Sequence, residues 1–139
     1  MRSITRDLPG TPVDVKMSMP REAVISVIDD DPSVRRALSR LLTSAGFNVQ
    51  IYCSSEDFLE RHLLEKSGCL ILDVHLPGMN GLELQAQLLS EQRDCPIVFI
   101  TAFDDAGARR KALQDGAVAF LSKPLDTAHL LQLMETVMA

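Results

Sequence analysis

Five residues stand out for the chemistry they could share: the adjacent pair Asp29 and Asp30, then Asp73, Thr101 and Lys123. Each closes or follows a short apolar run, VISVI before Asp29, CLIL before Asp73, IVFI before Thr101 and VAFLS before Lys123. Carboxylates brought together repel one another and bind protons more tightly, and a hard divalent cation relieves that repulsion. An all-oxygen donor set suits Mg²⁺ better than Zn²⁺, since no histidine or cysteine cluster accompanies it. Beside such a cation Asp73 can attack phosphorus, Thr101 can donate its hydroxyl to a phosphoryl oxygen, and Lys123 can supply a mobile positive charge. The product would be an acyl phosphate on Asp73.

These residues share a site only if the chain between them folds in a particular way. Ala23 to Ile28 reads as a strand covered on both faces, ending in Asp29-Asp30-Asp31-Pro32. A helical pattern follows, with Val34, Leu38, Leu41, Leu42 and Ala45 on one side, Asp31 as its cap and Gly46 as its stop. Phe47 to Tyr52 alternates as a more exposed strand, and Ser54 or Ser55 can cap a helix carrying Phe58, Leu59, Leu63 and Leu64. Cys69 to Asp73 is an apolar strand, followed by a Pro77-Gly78 loop and a helix over Leu82 to Glu91. Pro96 to Thr101, Ala106 to Gln114 and Val118 to Ser122 then read as strand, helix and strand, and Asp126 caps a last helix bearing Leu130, Leu133, Met134 and Val137. Five strand and helix pairs in strict alternation predict a three-layer parallel α/β domain. In a parallel sheet all strand C-termini lie on one edge, the usual ligand crevice, so the five polar residues converge there.

The 139 residues suit one domain over 23–139, preceded by a polar, proline-containing leader over 1–22 that lacks the apolar core of a secretory signal. A net charge of -5 opposes contact with nucleic-acid phosphates or anionic lipid, and no apolar run is long enough to span a bilayer. Three cysteines, Cys53, Cys69 and Cys95, match no common zinc pattern and read as reduced core or half-buried residues of a cytoplasmic protein. His62 and His129 fall on predicted helices and are poor catalysts there, whereas His75, two residues past Asp73, offers its backbone carbonyl more usefully than its ring.

The motifs VISVIDDDPSVRRAL, CLILDVHLPGMNGLEL, VFITAF and GAVAFLSKPL together resemble the receiver domain of two-component response regulators. The likeness is strongest to receivers that precede a helix-turn-helix DNA-binding domain, of the nitrogen-fixation and quorum-sensing type, and runs from about Ala23 to Ala139. It implies a flavodoxin-like (βα)5 fold with parallel strand order 2-1-3-4-5. It also implies that Asp30, Asp73 and the His75 carbonyl contact Mg²⁺ directly, with Asp29 acting directly or through water, and that the Lys123-Pro124 peptide is cis. A sensor histidine kinase or a histidine phosphotransfer protein would be the donor. Thr101 would then move toward the phosphoryl group while Phe120 turns inward, altering the face formed by the fourth helix, fifth strand and fifth helix.

That face carries Arg109, Arg110 and Lys111 near Asp126, a salt-linked surface suited to a phosphorylation-dependent homodimer or an output domain. His75 and Phe103 would flank the approach of water in such a domain, with bulky Phe103 slowing dephosphorylation or, as the alternative, His75 orienting the water. Such a module catalyses its own phosphorylation and dephosphorylation yet serves as a switch. DNA would be reached only through a C-terminal output domain, and no membrane partner is expected. The alternatives are a free-standing receiver acting by protein contact, a haloacid dehalogenase-like phosphatase, a flavodoxin or a docking module that is never phosphorylated. A dehalogenase-like enzyme normally wants a second aspartate where this chain has His75, and a flavodoxin wants a hydroxyl- and glycine-rich loop where this chain has three acids.

Overall fold

The computed structural model describes residues 23–62, 67–103 and 105–139. The expected leader, and the placement of Leu63 and Leu64 on the second helix, lie outside the described residues. Strands and helices alternate as β1 (Val24–Ile28), α1 (Pro32–Ser44), β2 (Asn48–Tyr52), α2 (Ser55–Arg61), β3 (Ser67–Asp73), α3 (Gly81–Ser90), β4 (Ile97–Thr101), α4 (Ala106–Gln114), β5 (Ala119–Ser122) and α5 (Thr127–Val137). All pairings are parallel and the strand order is β2-β1-β3-β4-β5, the order expected.

The two sheet faces are buried by different helices, which gives the three layers. Alternate residues of the central strands supply the two cores. Leu70, Leu72 and Phe99 point into the cluster with Phe58, Leu84, Leu88, Ala108 and Ala112, so α2, α3 and α4 cover that face. Ile25, Val27, Ile71, Val98 and Ile100 point the other way, against Leu38 and Leu42 of α1 and Leu130 and Met134 of α5. Each fully buried Leu, Ile or Phe contributes about 1.5–3 kcal/mol. The strands are therefore held by apolar packing on both faces, leaving their C-terminal ends free to carry charges that would not fold by themselves.

Caps fix where the helices begin. The Asp31 carboxylate accepts the Ser33 amide at 2.8 Å, and Asp126 accepts that of His129 at 3.1 Å. Asn80 and Glu83 form a reciprocal capping box at the start of α3. Gly46, at φ +97°, ends α1 as expected.

Several expectations needed adjustment. β3 starts at Ser67 rather than Cys69, because a register irregularity between Val24 and Ile25 lets the polar Ser67 and small Gly68 enter the ladder before the apolar run begins. Helix α2 stops at Arg61, where His62 turns to extended backbone. Ala45 is the exposed C-cap of α1 rather than part of its apolar side. Cys69 is buried and Cys95 half-buried, yet Cys53 is exposed just after β2. No helix among the described residues is long and apolar enough to cross a membrane.

Candidate functional site

The ends of β1, β3, β4 and β5 bring four of the five singled-out residues together, and Asp30 joins them from the loop after β1. Asp29 directly follows β1, and its amide continues the ladder by donating to the Tyr52 carbonyl at 3.2 Å. Asp73 is the last residue of β3 and sits opposite Ile100, one step before Thr101 at the end of β4. The amide of Lys123 donates to the Thr101 carbonyl at 2.8 Å, so β5 delivers the lysine beside the threonine, across a Lys123-Pro124 peptide that is cis.

Lys123 is the hinge of the charge arrangement. Its Nζ donates to Asp29 Oδ2 at 2.9 Å and to Asp73 Oδ2 at 3.1 Å. The remaining oxygens take backbone amides: Asp31 N–H donates to Asp29 Oδ1 at 2.9 Å and His75 N–H to Asp73 Oδ1 at 3.0 Å. Asp29 is fully buried and Asp73 nearly so, whereas Asp30 is exposed at the mouth. Burial pushes the Asp73 carboxyl above its ordinary range and the Asp29 charge adds to this, while the His75 amide and Lys123 oppose it. Burial alone would depress the Lys123 ammonium, but the Asp29 hydrogen bond and the two carboxylate charges outweigh it, so its pKa is raised.

One carboxylate oxygen from each of Asp29, Asp30 and Asp73 lies within 4.8 Å of the others. Three hard oxygen donors, one already held above the usual carboxylate range, form a set that an oxygen-seeking divalent cation fits and a thiolate- or imidazole-seeking one does not. The oxygens of Asp73 also lie next to an ammonium group, so this carboxylate can attack phosphorus while positive charge meets the phosphoryl oxygens.

The other expected residues sit nearby in arrangements that spacing did not foretell. Thr101 is buried, but its hydroxyl is engaged: it donates to the Phe103 carbonyl at 2.9 Å and accepts the Phe103 amide at 3.1 Å. His75 is exposed, and its ring meets that of Phe103 edge-on at 5.5 Å. Phe120 is already packed inside beside Phe99, at 6.1 Å between rings. Arg109 closes over it, with the guanidinium 4.9 Å from the ring centre and Nη1 donating to the Phe120 carbonyl at 3.3 Å. The salt-linked surface expected with Asp126 takes a different form: Lys111 pairs with Asp115 at 2.8 Å, Arg109 serves Phe120, and Asp126 caps α5.

Two contributors escaped the reading of the sequence. Arg35 donates from α1 to the Asp29 carbonyl at 2.8 Å, and Glu56 of α2 accepts the Met79 amide at 2.8 Å in the loop after β3. The VRR spacing after Asp31 could have pointed to Arg35, one turn along the helix. Nothing in the pattern marks Glu56.

Residues 25–135 match the family model of the response regulator receiver domain. Nodulation protein W of Bradyrhizobium diazoefficiens is 39% identical over 110 residues, which is 79% of this chain and 48% of that protein. The response regulator protein TodT of Pseudomonas putida is 41% identical over 111 residues, 80% of this chain and 49% of that one. A solved structure of the response regulator StyR superimposes with a TM-score of 0.78 at 44% identity, covering 84% of this chain and 59% of that one. The chain thus spans about half the length of the relatives it matches.

Proposed function

The chain belongs to the response regulator receiver family, and we propose that it accepts a phosphoryl group on Asp73 from a phosphohistidine donor, in a Mg²⁺-dependent reaction that controls a transcriptional output. The observation that carries this reading is the Lys123 ammonium shared by Asp29 and Asp73 at the floor of the three-carboxylate pocket. A half-buried lysine held between two buried carboxylates, with a third at the mouth, is arranged to meet additional negative charge.

In this reading Asp29, Asp30, Asp73 and the His75 carbonyl would hold Mg²⁺, which supplies charge neutralisation at the phosphoryl oxygens. An Asp73 oxygen forms the new O–P bond as the P–N bond to the donor imidazole breaks, and the departing nitrogen keeps the bonding pair. The two backbone amides fix the directions of the Asp73 and Asp29 carboxylates, so little reorientation precedes attack. Lys123 then turns from a carboxylate oxygen to a phosphoryl oxygen. Thr101 completes the set by exchanging the Phe103 carbonyl for a phosphoryl oxygen, which loosens the β4–α4 loop next to Phe120.

The donor would be a histidine kinase or a histidine phosphotransfer protein. An apolar groove of about 250 Å³, between Val34, Leu38 and Leu41 of α1 and Pro124 and Leu125 beyond β5, has Lys123 in its wall. Because Lys123 lines this groove and also contacts Asp29 and Asp73, the groove supports the seating there of an apolar helix face that carries the phosphohistidine. The relatives named transcriptional or response regulators support a DNA-binding output, reached through a domain other than this one.

Incubation with acetyl phosphate and Mg²⁺ followed by intact-mass measurement tests the reading. The expected result is the gain of one phosphoryl group, lost on hydroxylamine treatment and absent in Asp73→Asn. A folded chain that gains none, or gains it equally in Asp73→Asn, would overturn the reading.

A further inference from the structure

The loop from Val74 to Gly81 carries the His75 carbonyl; its base is tied by its own residues and its tip by another helix. At its base the Gly81 amide donates to the Val74 carbonyl at 3.0 Å and the His75 amide to Asp73 at 3.0 Å, while Leu76 is buried in the core. At its tip lie Pro77, which has no amide hydrogen, and Gly78, the least constrained residue type, here at φ +72°. Pro-Gly is the favoured central pair of a type II turn, in which the next amide ordinarily closes back on the chain. Here that amide, of Met79, is taken by Glu56 Oε2 at 2.8 Å, from a helix 23 residues earlier.

Two observations single out Glu56. The hydrogen bond is one. The other is steric: its carboxylate lies so directly over Gly78 that a β-carbon there would come within 2.6 Å of Oε2. The side chain therefore both ties the tip and occupies the space into which the tip would rise. Its helix is itself fixed, with the Ser54 hydroxyl accepting the Asp57 amide at 2.9 Å and Phe58 fully buried. The carboxyl is held below its usual range by the Met79 amide and then by its own amide, so it remains an acceptor at neutral pH.

We propose that Glu56 is a positioning residue for the cation site: by fixing the Pro77–Met79 tip from α2, it limits the freedom of the loop that carries the His75 carbonyl, which would join the three carboxylates in holding the cation. The inference rests on the acidic pocket binding Mg²⁺ as described above. Glu56 touches neither the phosphoryl group nor the cation. Its effect is on how much of the loop must be ordered when the cation enters, and hence on affinity.

Isothermal titration of the metal-free 139-residue chain with Mg²⁺ alone tests this, using Glu56→Ala, Glu56→Gln and Gly78→Ala. Glu56→Ala is expected to bind Mg²⁺ roughly tenfold more weakly, the lower end of what the loss of an outer-shell partner costs. Glu56→Gln keeps an acceptor for Met79 and should recover most of the affinity, although it too lacks the charge. Gly78→Ala should weaken binding as well, by displacing the carboxylate and by straining the backbone at φ +72°. In the metal-free protein, hydrogen exchange at Met79 should quicken in Glu56→Ala with the thermal midpoint unchanged. Equal affinity in Glu56→Ala and the parent would overturn the inference, and so would equal weakening in the Ala and Gln variants, which would make the effect one of charge alone. A parent chain that takes up no Mg²⁺ would overturn the reading of the acidic pocket and this inference with it.

Discussion

Asp73 carries a charge that its surroundings resist, and its neighbours offset this only in part. Burial and Asp29 raise its pKa, and the His75 amide and Lys123 act in the other direction. A carboxyl whose folded pKa lies above its unfolded one weakens folding once the pH exceeds the unfolded value, and recovers that loss as the pH falls through the folded pKa. Asp73→Asn should therefore make the metal-free protein more stable at neutral pH. The gap to the parent should close as the pH drops through the raised Asp73 pKa, because protonation removes the same charge. Urea denaturation at several pH values checks this, and a variant less stable than the parent at neutral pH would contradict the crowding described for Asp73. The five residues of the site were legible in the sequence because aspartate, threonine and lysine at strand ends are conspicuous. Glu56 was not, and the contact made by Arg109 was not, since an exposed glutamate and an arginine on amphipathic helices look the same whether they bind solvent, an amide or an aromatic ring.

At the scale of elements the site depends on two loops as much as on the strands. The β4–α4 loop stores the Thr101 hydroxyl in a reciprocal pair with the Phe103 backbone and leaves the Phe103 ring outside, 67% exposed, edge-on to His75. Removing that ring leaves the backbone pair intact, so its effect on water access can be isolated. Phe103→Ala should shorten the half-life of phosphorylated Asp73 a few-fold, less than the tenfold that about 1.4 kcal/mol of barrier would give, because so exposed a ring shields only partly. Loss of the acid-labile label over time measures it; an unchanged half-life would remove Phe103 from the role. Strand ends could be read from the sequence to within a residue or two, where an apolar run stops at an acid, because burial on both faces imposes the run itself. The start of β3 could not, as a register irregularity at a glycine has no apolar signature. Nor could the state of Phe120, because cover by Arg109 depends on a contact between α4 and β5 that neither element announces.

For the whole molecule, alternation of five strands and five helices was enough to give layers and parallel pairing, while strand order came from resemblance rather than from periodicity. The family match covers residues 25–135, and the chain spans about half the length of the relatives it matches. Lys123 reaches Asp29 across 94 positions of chain, and Asp73 lies 50 positions before that lysine, so the proposed phosphoacceptor site is assembled by contacts that span most of the domain. No fragment short of β5 contains it, and partial unfolding that lifts β5 from β4 dismantles it. Phosphoryl uptake should thus decline along the same urea curve as helical circular dichroism, and uptake persisting past that transition would mean that Asp73 reacts without its distant partners. A cell reading this label would learn about the donor and, in the same mark, that the receiving chain had finished folding.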